Sequence, residues 1–186
     1  MMDLLCDRDR SHLLVVDIQE KLAVAMDEAE RAQVYRNAGR LAQAAGILNI
    51  PVTVTEQYPQ GIGHTAHAVL EQAPQAARVL DKTTFSCCGA PGIMDALKSA
   101  RRPQVILCGM EAHVCVLQTA LGLTQEGFQV FVVEDGVCSR NPRNRDNALA
   151  RMAQAGVTVT NAESVMFEWL GECTHPRFKD LLKLIR

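Results

Sequence analysis

Short runs rich in apolar and β-branched residues alternate with segments of helical period along this chain, and that alternation restricts its fold more than any other feature. HLLVVD (12–17), IPVTVTEQ (50–57), ARVLDKTTFS (77–86), QVILCG (104–109), QVFVVED (129–135) and VTVTN (157–161) read as strands. Between them, residues 28–46, 91–100, 113–127 and 144–156 repeat apolar positions at helical spacing, and three of these segments stop at Gly46, Gly127 and Gly156. Strands that are apolar throughout are those covered by helices on both faces. Alternating strands and helices imply right-handed crossovers and a parallel sheet. The expectation is a three-layer α/β/α fold around a mainly parallel sheet of about six strands.

The 186 residues, 48% hydrophobic and 22% charged, suit one domain spanning 1–186 with a sizeable core. A net charge of −2 provides no electrostatic footprint for nucleic acid or an anionic membrane. The opening MMDLLCDRDR is too charged for a signal peptide, and no apolar run has membrane-spanning length. Seven cysteines cannot all pair internally, and no CxxC suggests a zinc cluster. Reduced thiols in a cytoplasmic protein are the expectation.

In parallel sheets of this kind, chemistry gathers beyond the carboxyl ends of the strands. Asp17, Glu56 with Gln57, Lys82, the stretch Met110–Cys115, and Glu134 with Asp135 all fall at such ends. A thiol becomes a nucleophile as its thiolate, which a helix start and a nearby ammonium favour. A carboxylate can take the thiol proton and later return it to a leaving group. Asp17, Lys82 and Cys115 are the residue types for that chemistry. Taken singly, each has a plainer reading: Cys115 as a small buried hydrophobe, Asp17 as a helix cap, Lys82 as a solvated lysine. Cys108 and Cys138 read as core or loop thiols, and Cys87 and Cys88 as exposed or half-buried ones. His64 and His67 have no third metal ligand nearby, so no metal is expected.

The segments LLVVDIQEKL, DKTTFS and ILCGMEAHVCVLQTA, in that order, resemble the three signature segments of the isochorismatase-like, or cysteine-hydrolase, superfamily. EDGVCSRNPRNRDNALARMAQAG and HPRFKDLLKLI are most similar to its isochorismatase-domain-containing subgroup, whose substrate is unsettled. The resemblance implies a Rossmann-like fold and a catalytic triad of Asp17, Lys82 and Cys115. It also implies a cis Met110–Glu111 bond and an oxyanion hole formed by the backbone N–H groups of Glu111 and Cys115. Gln19, Tyr58, Phe85 and His113 lie beside these segments as pocket candidates. Nicotinamidases of the family carry an Asp-x-His metal motif where this chain has Glu56-Gln57-Tyr58, so neither metal nor cofactor is implied. Ala112 stands where many relatives have threonine, which removes one supporting hydrogen bond.

The activity expected is hydrolysis of a small amide or related acyl compound through a thioester at Cys115, with Asp17 as proton relay and Lys82 as charge stabiliser. The alternatives are a non-enzymatic scaffold on a hydrolase fold, or a thiol redox sensor. A small molecule is the expected partner, without nucleic acid or membrane. The terminal stretch ESVMFEWLGECTHPRFKDLLKLIR holds more apolar residues than one small sheet needs, and it reads as an interface of a homo-oligomer, at least a dimer.

Overall fold

Leu13 and Val15 of the first strand, β1 (Ser11–Val16), enter one apolar cluster, while Leu14 and Val16 enter another. Side chains that alternate across a strand and are apolar on both faces require a layer on each side. The computed structural model, which describes residues 4–185, supplies both layers. The first three residues of the opening segment, and Arg186 of the terminal one, lie outside the described residues.

After β1 come α1 (Glu20–Ala23), α2 (Glu28–Ile47), β2 (Val52–Gln57), the one-turn α3 (Pro59–Ile62) and α4 (His67–Leu70), then β3 (Arg78–Lys82) and α5 (Pro91–Ser99). The second half runs β4 (Gln104–Met110), α6 (Leu117–Gln125), β5 (Gln129–Cys138), α7 (Pro142–Gln154), β6 (Thr158–Thr160), α8 (Ala162–Leu170) and α9 (Phe178–Ile185). The strands form a six-stranded parallel sheet in the order β3-β2-β1-β4-β5-β6. This is the three-layer α/β/α fold expected. α2, α8 and α9 cover one face, and α5, α6 and α7 the other. The chain builds outward from β1 through β2 to β3, then returns to β4 and builds the other way. β1 and β4 therefore flank the reversal point, where such sheets bind ligands.

Caps mark the helix starts. Asp27 accepts the Ala29 and Glu30 N–H groups at 3.0 and 3.2 Å, and Asn161 accepts that of Ser164 at 2.8 Å. Among the described residues, no helix is long and apolar enough to cross a membrane.

Four elements differ from the sequence reading. The third strand stops at Lys82, which leaves residues 83–86 as loop. β5 continues past Glu134 and Asp135 to Cys138, because the β4–β5 register shifts between Leu107 and Gly109. Asp135 consequently accepts the Ala162 N–H at 2.8 Å, and its carbonyl accepts Asn37 Nδ2 at 2.8 Å, so it braces helices and does not end a strand at the site. The helix expected from His113 begins instead as a π-helical turn, Ala112–Val116. The terminal segment folds over its own sheet: Val165, Met166, Trp169, Leu170 and Leu181 are buried, and Trp169 Nε1 donates to Ser11 Oγ at 2.9 Å. The apolar surplus thus covers the α2 side of the chain's own core, and of its large side chains Phe167 remains exposed beside Phe178.

His12, buried in β1, places Nε2 2.9 Å from Thr53 Oγ1, and its Nδ1 has no hydrogen-bond partner among the described residues. Burial pushes its pKa down to about 4 from 6.5, and Arg102 and Arg78 push the same way. The unfolded chain then binds a proton that the folded one refuses. Stability is unaffected by this residue above pH 6.5 and falls as pH drops towards 4, by about 3 kcal/mol in full. Urea unfolding of wild type and His12→Asn at pH 7 and pH 4.5 is expected to show a steeper acid loss in wild type; equal losses would contradict this.

Candidate active site

Asp17 directly follows β1, and the register pairs the preceding Val16 with Thr55 of β2 on one side and Gly109 of β4 on the other. Asp17 is wholly buried and takes a φ of 52°, a left-handed conformation that Asp and Asn adopt more readily than other side-chain-bearing residues. Gly109 has a φ of 140°, and a Cβ there would lie 2.0 Å from the Val16 carbonyl oxygen. Only glycine lets β1 and β4 approach so closely just before the next turn. The Met110–Glu111 peptide bond of that turn is cis.

The Asp17 carboxylate accepts Thr55 Oγ1 on Oδ1 and Lys82 Nζ on Oδ2, each at 2.7 Å. The Lys82 ammonium also donates to Gln57 Oε1 at 2.7 Å, the Phe85 carbonyl at 3.0 Å and the Thr84 carbonyl at 3.2 Å. An ammonium has three N–H bonds, so four acceptors saturate it. Both members of the ion pair have fully enclosed side chains. Such a pair stands only when hydrogen bonds compensate the lost hydration, and these do.

Cys115 lies in the π turn, 5% exposed, with its thiol in hydrogen-bonding reach of Asp17. Burial pushes the thiol up to about 12, the Asp17 charge adds to this, and Lys82 opposes it. The expectation of a lowered pKa is therefore reversed: the ammonium is spent on Asp17, and the helix start that was to stabilise a thiolate is a π turn. Unaided, the thiol stays protonated at neutral pH. The resting site holds a thiol facing a carboxylate. Iodoacetamide at pH 7 is accordingly expected to label the exposed Cys173 well before Cys115, which mass spectrometry of timed digests checks.

Cys87, expected to be exposed or half-buried, is fully buried beside this pair. Burial pushes its thiol up to about 11, with Asp17 raising and Lys82 lowering it. Cys88 is half-buried, while Cys108 and Cys138 are enclosed in the core.

The pocket candidates separate into two groups. Phe85 and Tyr58 are tied by their backbones to Lys82, the first through the ammonium and the second through a 2.9 Å bond to the Lys82 carbonyl, while both rings face solvent. Gln19 is wholly buried, with its amide committed to the Gln57 backbone and the Gly63 carbonyl, so it braces the loop after β2. His113 Nδ1 lies 3.0 Å from Ser139 Oγ. Glu56 accepts Thr65 N–H at 2.7 Å, Thr65 Oγ1 at 2.8 Å and faces His64 Nδ1 at 2.9 Å, whereas His67 faces Glu71 at 3.2 Å. The two histidines serve separate acids.

Sequence reasoning missed Thr55, the second donor to Asp17, and passed over Gln57 as a partner of Lys82. The available signal was a pair of threonines, Thr53 and Thr55, placed inside an otherwise apolar strand. It also missed Thr119, one helical turn beyond Cys115, whose Oγ1 accepts the Cys87 N–H at 3.0 Å. With Ser86 Oγ donating to the Gln118 carbonyl at 3.3 Å, this clips the loop after Lys82 onto α6.

A family model described as the isochorismatase domain matches residues 11–164. Human isochorismatase domain-containing protein 2 is 41% identical over 179 residues, covering 95% of this chain and 83% of that protein. A solved structure of MAR1 ribonuclease from Caenorhabditis elegans is 41% identical with a TM-score of 0.92, over 97% of this chain and 92% of that one. The ycaC gene product of Escherichia coli, described as an octameric hydrolase of unknown specificity, is 25% identical with a TM-score of 0.86, over 98% and 97% of the two chains.

Proposed function

This chain belongs to the isochorismatase family, and from that premise we propose that it is a cysteine-dependent hydrolase of a small amide or related acyl compound. The observation that carries the reading is the enclosed Asp17 carboxylate, held by Lys82 and Thr55 and within reach of the Cys115 thiol. A thiol with a pKa of about 12 is not a thiolate waiting for substrate, so its proton must leave as the attack proceeds. Asp17 takes that proton while Sγ bonds to the carbonyl carbon. The carbonyl π pair moves to oxygen, where the N–H groups of Glu111 and Cys115 hold it. Collapse expels the leaving group, which takes the proton back from Asp17 and leaves a thioester. Water then attacks, again with Asp17 as base, and the acid departs as Cys115 regains its proton. Lys82 has no N–H left for substrate; it acts through its field and by fixing Asp17.

A panel of small primary amides, with ammonia release measured for wild type and Cys115→Ala, tests this. Release by wild type alone supports it, and release by both proteins, or by neither across the panel, counts against it. The description of the C. elegans neighbour as a ribonuclease supplies a second reading, cleavage of RNA. Net charge of −2 and a saturated Lys82 argue for the amide, so a labelled oligoribonucleotide belongs in the panel as the rival substrate. A redox sensor fits poorly with so protonated a thiol.

We further read residues 1–186 as one isochorismatase-like domain, working in the cytoplasm with its seven cysteines unpaired. The octameric E. coli relative supports a homo-oligomer for this chain too, although its terminal segment covers its own core. Light scattering at micromolar concentration is expected to give a multiple of 20.4 kDa, and a mass of 20.4 kDa throughout would refute assembly.

A further inference from the structure

The Glu111 carboxylate takes no part in the mechanism above, yet it is buried and committed. Its Oε2 accepts the Arg140 backbone N–H at 3.0 Å, with Arg140 Nε at 3.8 Å. Two residues along, His113 Nδ1 meets Ser139 Oγ at 3.0 Å, and Ser139 is itself buried. Just upstream, Gly109 and Met110 pair with Val137 and Cys138 of β5. Residues 109–113, the turn before the thiol, are thus fastened at successive points to residues 137–140, the end of β5 and the loop that follows.

We propose that the Glu111 side chain is a positioning residue: by gripping the Arg140 N–H, it fixes the orientation of its own peptide group and so aims the Glu111 N–H at the substrate oxygen. This rests on the reading of Cys115 as nucleophile and of the Glu111 N–H as an oxyanion donor. The bond to a backbone N–H is the effective part of the grip. A buried carboxylate accepting a backbone N–H makes a charge-assisted bond, here of ordinary length at 3.0 Å, whereas the Arg140 guanidinium is 64% exposed and more distant, and contributes little. Donors at such a site act only when held at hydrogen-bond distance from the place where charge develops. An anchor on a different loop holds the turn there before substrate arrives.

A small aldehyde tests the proposal without knowledge of the substrate. On its addition, Sγ bonds to the aldehyde carbon, the π pair moves to oxygen, and the thiol proton passes to Asp17, which leaves an oxyanion in the same place. Propionaldehyde labelled with carbon-13 at the carbonyl gives a hemithioacetal resonance, assigned to Cys115 by its loss in Cys115→Ala. Glu111→Gln, which keeps an acceptor oxygen but gives up the charge, is expected to bind more weakly than wild type and more tightly than Glu111→Ala. Glu111→Ala, and Glu111→Asp with its carboxylate drawn back by about 1.5 Å, are expected to bind roughly 30-fold or more weakly. That is a fraction of the roughly 10²–10³ that complete loss of one such donor costs. The Asp variant decides the matter if the Ala variant does not fold. Binding by a folded Ala or Asp variant within threefold of wild type overturns the positioning role alone. No Cys115 adduct in wild type overturns the nucleophile reading, and this proposal with it.

Discussion

Cys115→Ala is expected to lose amide turnover by about 10⁴-fold or more while unfolding close to wild type. The size follows from the division of labour: without Sγ no thioester forms, and the remaining oxyanion donors and binding contacts supply only the residual rate seen when a catalytic group is removed. Stability changes little because the substitution deletes one sulfur atom from a side chain at the end of the sheet, and small deletions of that kind cost about 1 kcal/mol. Cys115→Ser is expected to be similarly inactive, since a hydroxyl is harder still to deprotonate than a thiol at about 12. Ammonia release and urea unfolding, measured on the same preparations, check both halves. Turnover by the Ala variant within tenfold of wild type would remove the covalent mechanism.

Lys82→Met is expected to damage stability as well as activity. The substitution leaves the Asp17 carboxylate enclosed, with the Thr55 hydroxyl and the weakly donating Cys115 thiol beside it but no counter-charge, and an uncompensated buried charge costs roughly 3–5 kcal/mol. It also orphans the Gln57 oxygen and the Thr84 and Phe85 carbonyls. Lys82→Arg is not expected to rescue, because the four acceptors are arranged around a compact ammonium and a planar guanidinium cannot meet them all. The double variant Asp17→Asn with Lys82→Met is expected to be more stable than the sum of the two single changes predicts, since each single change strands the partner. Urea midpoints of the four proteins give the coupling directly. A Lys82→Met midpoint equal to wild type would mean that the ion pair does not hold the site together.

The two variants probe parts of the site that differ in how legible they were. Asp17 stands at the end of an apolar run and Lys82 at the end of the short strand segment ARVLDK, and a parallel sheet brings such ends to one edge, so their sequence positions are enough to nominate them. Thr55 and Gln57 stand at a strand end too, but nothing in their spacing says that one donates to Asp17 and the other accepts from Lys82. That depends on β1 lying against β2 with Val16 opposite Thr55, and on β2 lying against β3 with Gln57 opposite Lys82. The protonation of Cys115 was misjudged for a related reason. A lysine nearby in itself favours the thiolate, whereas here its charge is committed to Asp17 and burial prevails.

Local pattern alone determined the layered α/β fold, because periodicity is a property of consecutive residues: two-sided apolar runs need cover on both faces, and helical segments between them supply it. It also determined which chemically able residues reach the carboxyl edge of the sheet. Tertiary structure decided the rest. The register shift that carries β5 to Cys138, the folding of α8 and α9 over the chain's own core, the saturation of Lys82, and the grip of Glu111 on Arg140 all join residues far apart in sequence. Their energies depend on distance and enclosure, and those quantities exist only once the strands have paired.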